Sequence, residues 1–185
     1  MDFLKVLDEI CGALDKSRIH YALIGGFAMA MRGVQRATVD LDFILLLEDM
    51  DRAHDLLQSY GYQRVFHSEN LSHYRAEASD YGRIDILHAF RRPSLSMLER
   101  AQRVEVSPGL SVPVARVEDI IGLKIQAAIN DPARDIQDWL DIRLLLEAAA
   151  QQEEALDWEL IVDYLRIFGQ EDRLMTLKEW YGQAD

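Results

Sequence analysis

The sequence of 185 residues contains one cysteine, four prolines and five histidines, and no apolar run approaching the roughly 18 residues that cross a bilayer. A single thiol, Cys11, excludes an internal disulfide. It occupies an apolar position of helical spacing, which predicts a buried thiol in a reducing compartment. The opening stretch MDFLKVLDEICGALDKS sets acids inside its apolar pattern and lacks the basic start and unbroken apolar core of a secretory leader. These absences point to the cytoplasm, with no membrane as a partner. Low-complexity tracts, repeats and long linkers are also missing. The histidines (His20, His54, His67, His73, His88) show no metal-ligand spacing and read as strand or surface filler. No P-loop, Gly-x-Ser-x-Gly or Gly-x-Gly-x-x-Gly occurs.

Basic residues are scarce, and unevenly so. Lys and Arg total 20 against 32 Asp and Glu, a net charge of −12. Residues 1–116 hold 16 acids and 14 Lys/Arg, whereas residues 117–185 hold 16 acids and 6 Lys/Arg. So acidic a second segment excludes a general nucleic-acid binder. The cluster Arg91, Arg92, Arg100 and Arg103 lies in the first segment, either as a solvated patch or as the part that would meet a polyanion. With 49% hydrophobic and 28% charged residues, the chain can bury a core and is not disordered.

Periodicity predicts a helix over 2–16, a strand over 20–24 ending at Gly25-Gly26, a short helix over 27–32 and a strand over 39–47. A helix capped by Asp49 or Asp51 runs to about Ser59, with Gly61 as terminator. Strands follow at 62–66, 72–78 and 83–89, the last two joined by Asp80-Tyr81-Gly82. Ser94 is expected to cap a short helix through Arg100, and Pro108-Gly109 to turn a hairpin of 104–106 with 111–115. From Val117 the pattern is helical: 117–129, 132–150 with Pro132 at its first position, 157–168 and 171–181. Trp139, Trp158 and Trp180 read as core anchors of these helices. The expected fold class is α+β: a small mixed sheet with helices packed on it over residues 1–116, then an all-helical part over residues 117–185.

The informative stretch is IGGFAMAMRGVQRATVDLDF, residues 24–43. Alternate strand residues share a face, so Asp40 and Asp42 point one way and Leu41 and Phe43 the other. Two such carboxylates lie about 7 Å apart and repel, and burying them costs several kcal/mol unless a positive charge sits between them. A divalent cation with phosphate oxygens is one natural counter-charge; two solvated aspartates on an edge strand are the plainer alternative. The context favours the first. Gly25-Gly26 ends a strand and opens a helix, where a backbone can approach a phosphate. Arg36 suits phosphate pairing, and Thr38 shares the face of Asp40. Asp85, alone among apolar neighbours in Arg83-Ile84-Asp85-Ile86-Leu87, supplies a third carboxylate. Lys124 is the only basic residue in its apolar helix. It either snorkels to solvent or reaches a nucleotide phosphate as a point charge. Arg134 and Asp138, four apart, suit a local helix pair, and Asp138 could also hold Lys124.

These residues resemble the nucleotidyltransferase superfamily related to DNA polymerase β, whose signature is a Gly-Gly or Gly-Ser pair, a spacer, Asp-x-Asp and a third acid on a later strand. Within it the sequence is most similar to the AbiEii/AbiGii-type toxin nucleotidyltransferases, through Gly25-Gly26-Phe27-Ala28, Arg36-Ala37-Thr38-Val39-Asp40-Leu41-Asp42-Phe43, the helix Asp119–Ala128 with Lys124, and Arg134-Asp135-Ile136-Gln137-Asp138-Trp139. The resemblance implies transfer of NMP from an NTP to an acceptor hydroxyl with release of pyrophosphate. It implies Mg²⁺, or Mn²⁺ in its place, on Asp40, Asp42 and Asp85 as catalytic metal ligands. Nucleotide contacts fall to Gly25, Gly26, Arg36, Thr38 and Lys124. It further implies ATP or another NTP as substrate, an acceptor that is RNA, protein or a small molecule such as an antibiotic, and an antitoxin or regulatory protein as partner. A nucleotide-binding module without turnover and a purely structural domain remain the rival readings.

Overall fold

The computed structural model describes residues 1–78 and 80–182. It is α+β, as expected, and divides into two compact units, Met1–Met31 with Arg36–Ala115, and Arg32–Gln35 with Arg116–Asp185. The first unit is built on a mixed seven-stranded sheet in the order β3-β4-β5-β2-β1-β7-β6. Its strands are β1 (Tyr21–Ile24), β2 (Asp40–Leu46), β3 (Tyr62–His67), β4 (Leu71–Ala76), β5 (Arg83–Ala89), β6 (Gln102–Ser107) and β7 (Leu110–Val114). Strand β2 is central. It runs antiparallel to β1 and parallel to β5, with Asp42 opposite Ile24 on one side and Asp85 on the other.

The alternation along β2 is realised in full at its start. Leu41, Phe43 and Leu45 are buried, while Asp40 and Asp42 are half-buried on the opposite face. Each apolar side chain buried there contributes about 1.5–3 kcal/mol, which offsets the cost of holding acids next to them. The acid-bearing face becomes apolar again at Ile44, so the polar surface is confined to the first half of the strand. On β5 the same alternation buries Ile84 and Ile86 and leaves Arg83 and Asp85 on the acid face.

Helices of this unit are α1 (Phe3–Val6) and α2 (Gly12–Lys16), α3 (Gly25–Met31), α4 (Met50–Ser59) and α5 (Arg92–Arg100). The predicted single helix over 2–16 contains a π turn at Leu7–Cys11, a wider turn that admits one more residue per ring than apolar spacing reveals. Cys11 is buried, and burial pushes its thiol up to about 12, so it is an inert core group. Asp49 precedes α4 without capping it. Its carboxylate accepts instead from the backbone N–H of His20 at 2.8 Å and from Arg52. Ser94 is likewise not the cap of α5. Arg91 holds that position, and the Ser94 hydroxyl reaches back to the Arg91 carbonyl at 2.8 Å. On the buried face Ser72 lies between two imidazoles, 2.9 Å from His88 Nε2 and 2.8 Å from His67 Nδ1. His88 Nδ1 donates to the Glu69 carbonyl, so buried His88 satisfies core polar groups rather than filling a strand position, whereas His67 lies exposed on β3.

The second unit is helical: α6 (Val117–Asn130), α7 (Asp135–Gln151), α8 (Trp158–Ile167) and α9 (Leu174–Gly182). Helix α7 begins at Asp135 rather than at Pro132, because Asp131 forms a turn of its own. Its carboxylate accepts from Ala133 N–H at 3.0 Å and its carbonyl from Arg134 N–H at 2.9 Å. Asp157 caps α8 by accepting from Leu160 N–H at 3.1 Å. The expected last helix is a 3₁₀ turn, Glu171–Arg173, followed by α9. Helices α6 and α8 pack closely at Gly122, where a methyl group would stand 2.7 Å from the Tyr164 ring. The Tyr164 hydroxyl donates to buried Asp119 at 2.7 Å. Trp139 is buried as expected, whereas Trp158 and Trp180 are only half-buried. Among the described residues no helix is long and apolar enough to cross a membrane.

Candidate active site

Sheet register brings the candidate acids together. Asp42 and Asp85 are direct partners on the parallel pair β2–β5, and Asp40 partners Arg83 two residues earlier. Neighbouring strands lie roughly 4.8 Å apart, so three carboxylates and one guanidinium share a single patch of one sheet face. Arg83 Nη2 stands 2.5 Å from Asp40 Oδ2 and 3.3 Å from Asp85 Oδ2. Its protonated form is favoured first by the charge of Asp85 and then by Asp40 and Asp42, against the opposing effect of burial. Arg83 thus pairs with two of the three acids, Asp40 and Asp85. The antiparallel pair β4–β5 adds His73 opposite Asp85. His73 Nδ1 lies 2.7 Å from Asp85 Oδ1, and because an ionised carboxylate only accepts, Nδ1 carries the proton in this contact.

Thr38, just before β2, steadies Asp40. Its hydroxyl lies 3.1 Å from the Asp40 carbonyl and 3.3 Å from Asp40 Oδ1. Arg36 is half-buried, with Nη1 3.9 Å from the Met29 sulfur of α3.

The glycine pair has a reason that register makes plain. Ile24 is paired with Asp42, so the next residue, Gly25, turns off the strand directly over that carboxylate. A Cβ there would stand 2.0 Å from Asp42 Oδ2, and its φ is +66°. At Gly26 a Cβ would stand 3.0 Å from the Thr38 hydroxyl. Both glycines clear space for the polar side chains of the site. Gly25→Ala is accordingly expected to lower nucleotidyl transfer by about 100-fold by displacing Asp42 and to destabilise by about 1–3 kcal/mol. Gly61→Ala serves as the control in the same transfer assay and thermal melt. Gly61 also has positive φ (+85°) but nothing within 4 Å, so it should lose stability and keep activity.

Lys124 belongs to the helical unit and does not snorkel. It is 8% exposed, and its Nζ lies 2.9 Å from Asp138 Oδ1 and 2.6 Å from Asp141 Oδ2 on α7. Arg134 Nε approaches Asp138 Oδ2 at 3.4 Å. Asp138 thus holds Lys124 in addition to its local helix pair.

Two site residues escaped sequence reasoning. Arg83 was legible in principle, since it lies two residues from Asp85 and shares its face. His73 was not, because only the β4–β5 register places it against Asp85.

Among the described residues no group of three or more His, Cys, Asp or Glu converges on one point as a metal site would. The donor chemistry nevertheless fits a divalent cation. Three hard carboxylates lie on one face, and the Arg83 guanidinium already neutralises two of them, Asp40 and Asp85.

Comparison with known proteins bears on the family and the fold. The family model described as nucleotidyl transferase AbiEii toxin, type IV TA system, matches residues 10–180. No curated protein matches the sequence. Among solved structures, the solution structure of the antibiotic-resistance factor ANT(2'')-Ia is 18% identical with a TM-score of 0.66, covering 98% of this chain and 99% of that one. The crystal structure of ANT(2'')-Ia in complex with adenylyl-2''-tobramycin is 16% identical with a TM-score of 0.68, over 91% and 99% of the two chains. A putative nucleotidyltransferase from Thermotoga maritima is 16% identical with a TM-score of 0.58, over 75% and 92%. At these identities the likeness is one of fold. With the family match spanning nearly the whole chain, the protein belongs to the AbiEii nucleotidyltransferase toxin family, on a polymerase-β-like fold.

Proposed function

We propose that this protein is a divalent-metal-dependent enzyme that moves NMP from an NTP to an acceptor hydroxyl with release of pyrophosphate, acting on RNA or protein as the toxin of a toxin–antitoxin pair. The observation that carries the reading is the juxtaposition of Asp40, Asp42 and Asp85 on a single sheet face, with Arg83 paired to Asp40 and Asp85. We assign the chemistry to residues 1–116 and treat residues 117–185 as a helical subdomain.

Asp40, Asp42 and Asp85 would hold Mg²⁺, or Mn²⁺ in its place. The ion would supply charge neutralisation for the phosphates and polarise the α-phosphate. This chain's own residues do the rest. Thr38 fixes the Asp40 carboxylate. His73 donates to Asp85 Oδ1 and so orients that carboxylate, with Oδ2 toward the patch. Gly25 and Gly26 keep the strand–helix junction open, so that backbone can approach the phosphates without crowding Asp42. Arg36 pairs with a phosphate. For Lys124, held by Asp138 and Asp141 within the helical unit, we keep the phosphate contact that the family resemblance implies. Catalysis of this kind is positioning and charge stabilisation.

A small-molecule acceptor is the second reading. It is favoured by the lopsided charge, 16 acids against 6 Lys/Arg over residues 117–185, which repels long nucleic acid. It is also in keeping with the fold neighbour solved with adenylyl-2''-tobramycin. The test is incubation of the purified protein with Mg²⁺ and each α-labelled NTP, together with total RNA, cell protein and a small-molecule extract. Label on RNA or protein supports the first reading and label on a small molecule the second. Nucleotide bound without any labelled product would overturn both in favour of a binding module.

A further inference from the structure

We infer that Arg83 is the resident counter-ion of the acid patch, and that a divalent ion gains the site only by displacing it. The inference rests on the metal-dependent reading above and adds a competitor built into the same strand.

Two half-buried carboxylates on adjacent strands, with a third two residues away, repel one another when nothing neutralises them. The fold must therefore supply a charge in the absence of metal. Arg83 does so from β5, with one terminal nitrogen set between Asp40 and Asp85 at 2.5 and 3.3 Å. Its placement is fixed by register, because it pairs directly with Asp40 and shares the face of Asp85. The opposite oxygen of Asp85 is taken by His73, so in this arrangement both Asp85 oxygens are engaged. The guanidinium itself is half-exposed, with side-chain exposure of 53% against 19% for Asp40 and 18% for Asp85. It can swing out into solvent on its long stem while the acids stay, and such a solvent-facing pair resists displacement only weakly. Arginine also cannot release its charge by losing a proton, so the exchange must be by movement. Metal-free protein is thereby kept from the repulsion of three bare carboxylates, and the same contact raises the concentration of ion needed to load the site.

The test is Mn²⁺ binding to the full chain without nucleotide, followed by calorimetry and by the paramagnetic signal of free Mn²⁺. Arg83→Gln is expected to bind Mn²⁺ about tenfold more tightly than the native protein. Its melting temperature should be lower without the ion and should rise further when the ion is added. Arg83→Lys keeps the charge as a compact, strongly hydrated ammonium on a different stem, and it should fall between the two. This variant preserves the comparison if Arg83→Gln folds poorly. Equal or weaker Mn²⁺ binding by both variants overturns the inference. If native protein still binds Mn²⁺ with nucleotide and loses that binding in Asp42→Asn, the metal-dependent reading survives and only the counter-ion role falls. If no variant binds Mn²⁺ with or without nucleotide, both fall together.

Discussion

Asp42→Asn is expected to lower nucleotidyl transfer by at least about 10³-fold, while the melting temperature stays within about 3 °C of the native value. Asparagine keeps the size and planarity of the side chain and removes only its charge and one hard oxygen donor. The position is set by its neighbours rather than by its charge, being held between Ile24 and Asp85 in the sheet and roofed by Gly25. The backbone therefore has no reason to move. The fold even gains something, since one of three mutually repelling carboxylates around Arg83 is gone. What is lost is a site for charge that develops in the transition state, where a preorganised ligand is worth more than in the ground state. The check is the rate of label transfer from α-labelled NTP, with a thermal melt on the same preparation. A variant that unfolds would show that Asp42 is structural, and one that transfers at the native rate would remove it from the active site.

The face of β2 was readable from the sequence because a strand has a period of two and the apolar partners Leu41 and Phe43 are unambiguous. The meeting of Asp42 with Asp85 was not. It depends on β2 and β5 being parallel neighbours, although two other strands and a helix intervene in the chain. Sequence reasoning could single out Asp85 as a lone acid among apolar neighbours on a later strand, but not that this strand lies beside β2. The same register accounts for Gly25. Its location at a strand–helix junction was legible, but the carboxylate it clears belongs to a strand whose alignment with β1 no local pattern fixes. Histidine was under-read for a related reason. His73 and His88 alternate with apolar residues like any half-buried strand residue, and only cross-strand partners tell one that orients a carboxylate from one that satisfies a core serine. The start of α7 slipped because Asp131 had a stronger local use for its side chain, whereas α4 starts after Asp49 as expected, with the Asp49 carboxylate spent on His20 and Arg52.

Lys124→Met is expected to destabilise the protein by about 3–5 kcal/mol, the cost of leaving a buried charge without its partner. Asp138 and Asp141 are both fully buried, and lysine supplies each with a hydrogen bond shorter than 3.0 Å. Arg134 cannot take over. It is half-exposed and reaches only Asp138, at 3.4 Å, and Arg134→Met should itself cost less than about 1 kcal/mol. Urea unfolding at neutral pH measures both. Combining Lys124→Met with Asp138→Asn and Asp141→Asn should recover most of the stability, since a buried ion cluster replaced as a whole costs far less than one broken in half. That triple variant also separates structure from chemistry. If it is stable and transfers normally, the cluster only fastens α6 to α7. If it is stable and inactive, the charge at Lys124 acts on the nucleotide, and the two aspartates serve to hold it in place.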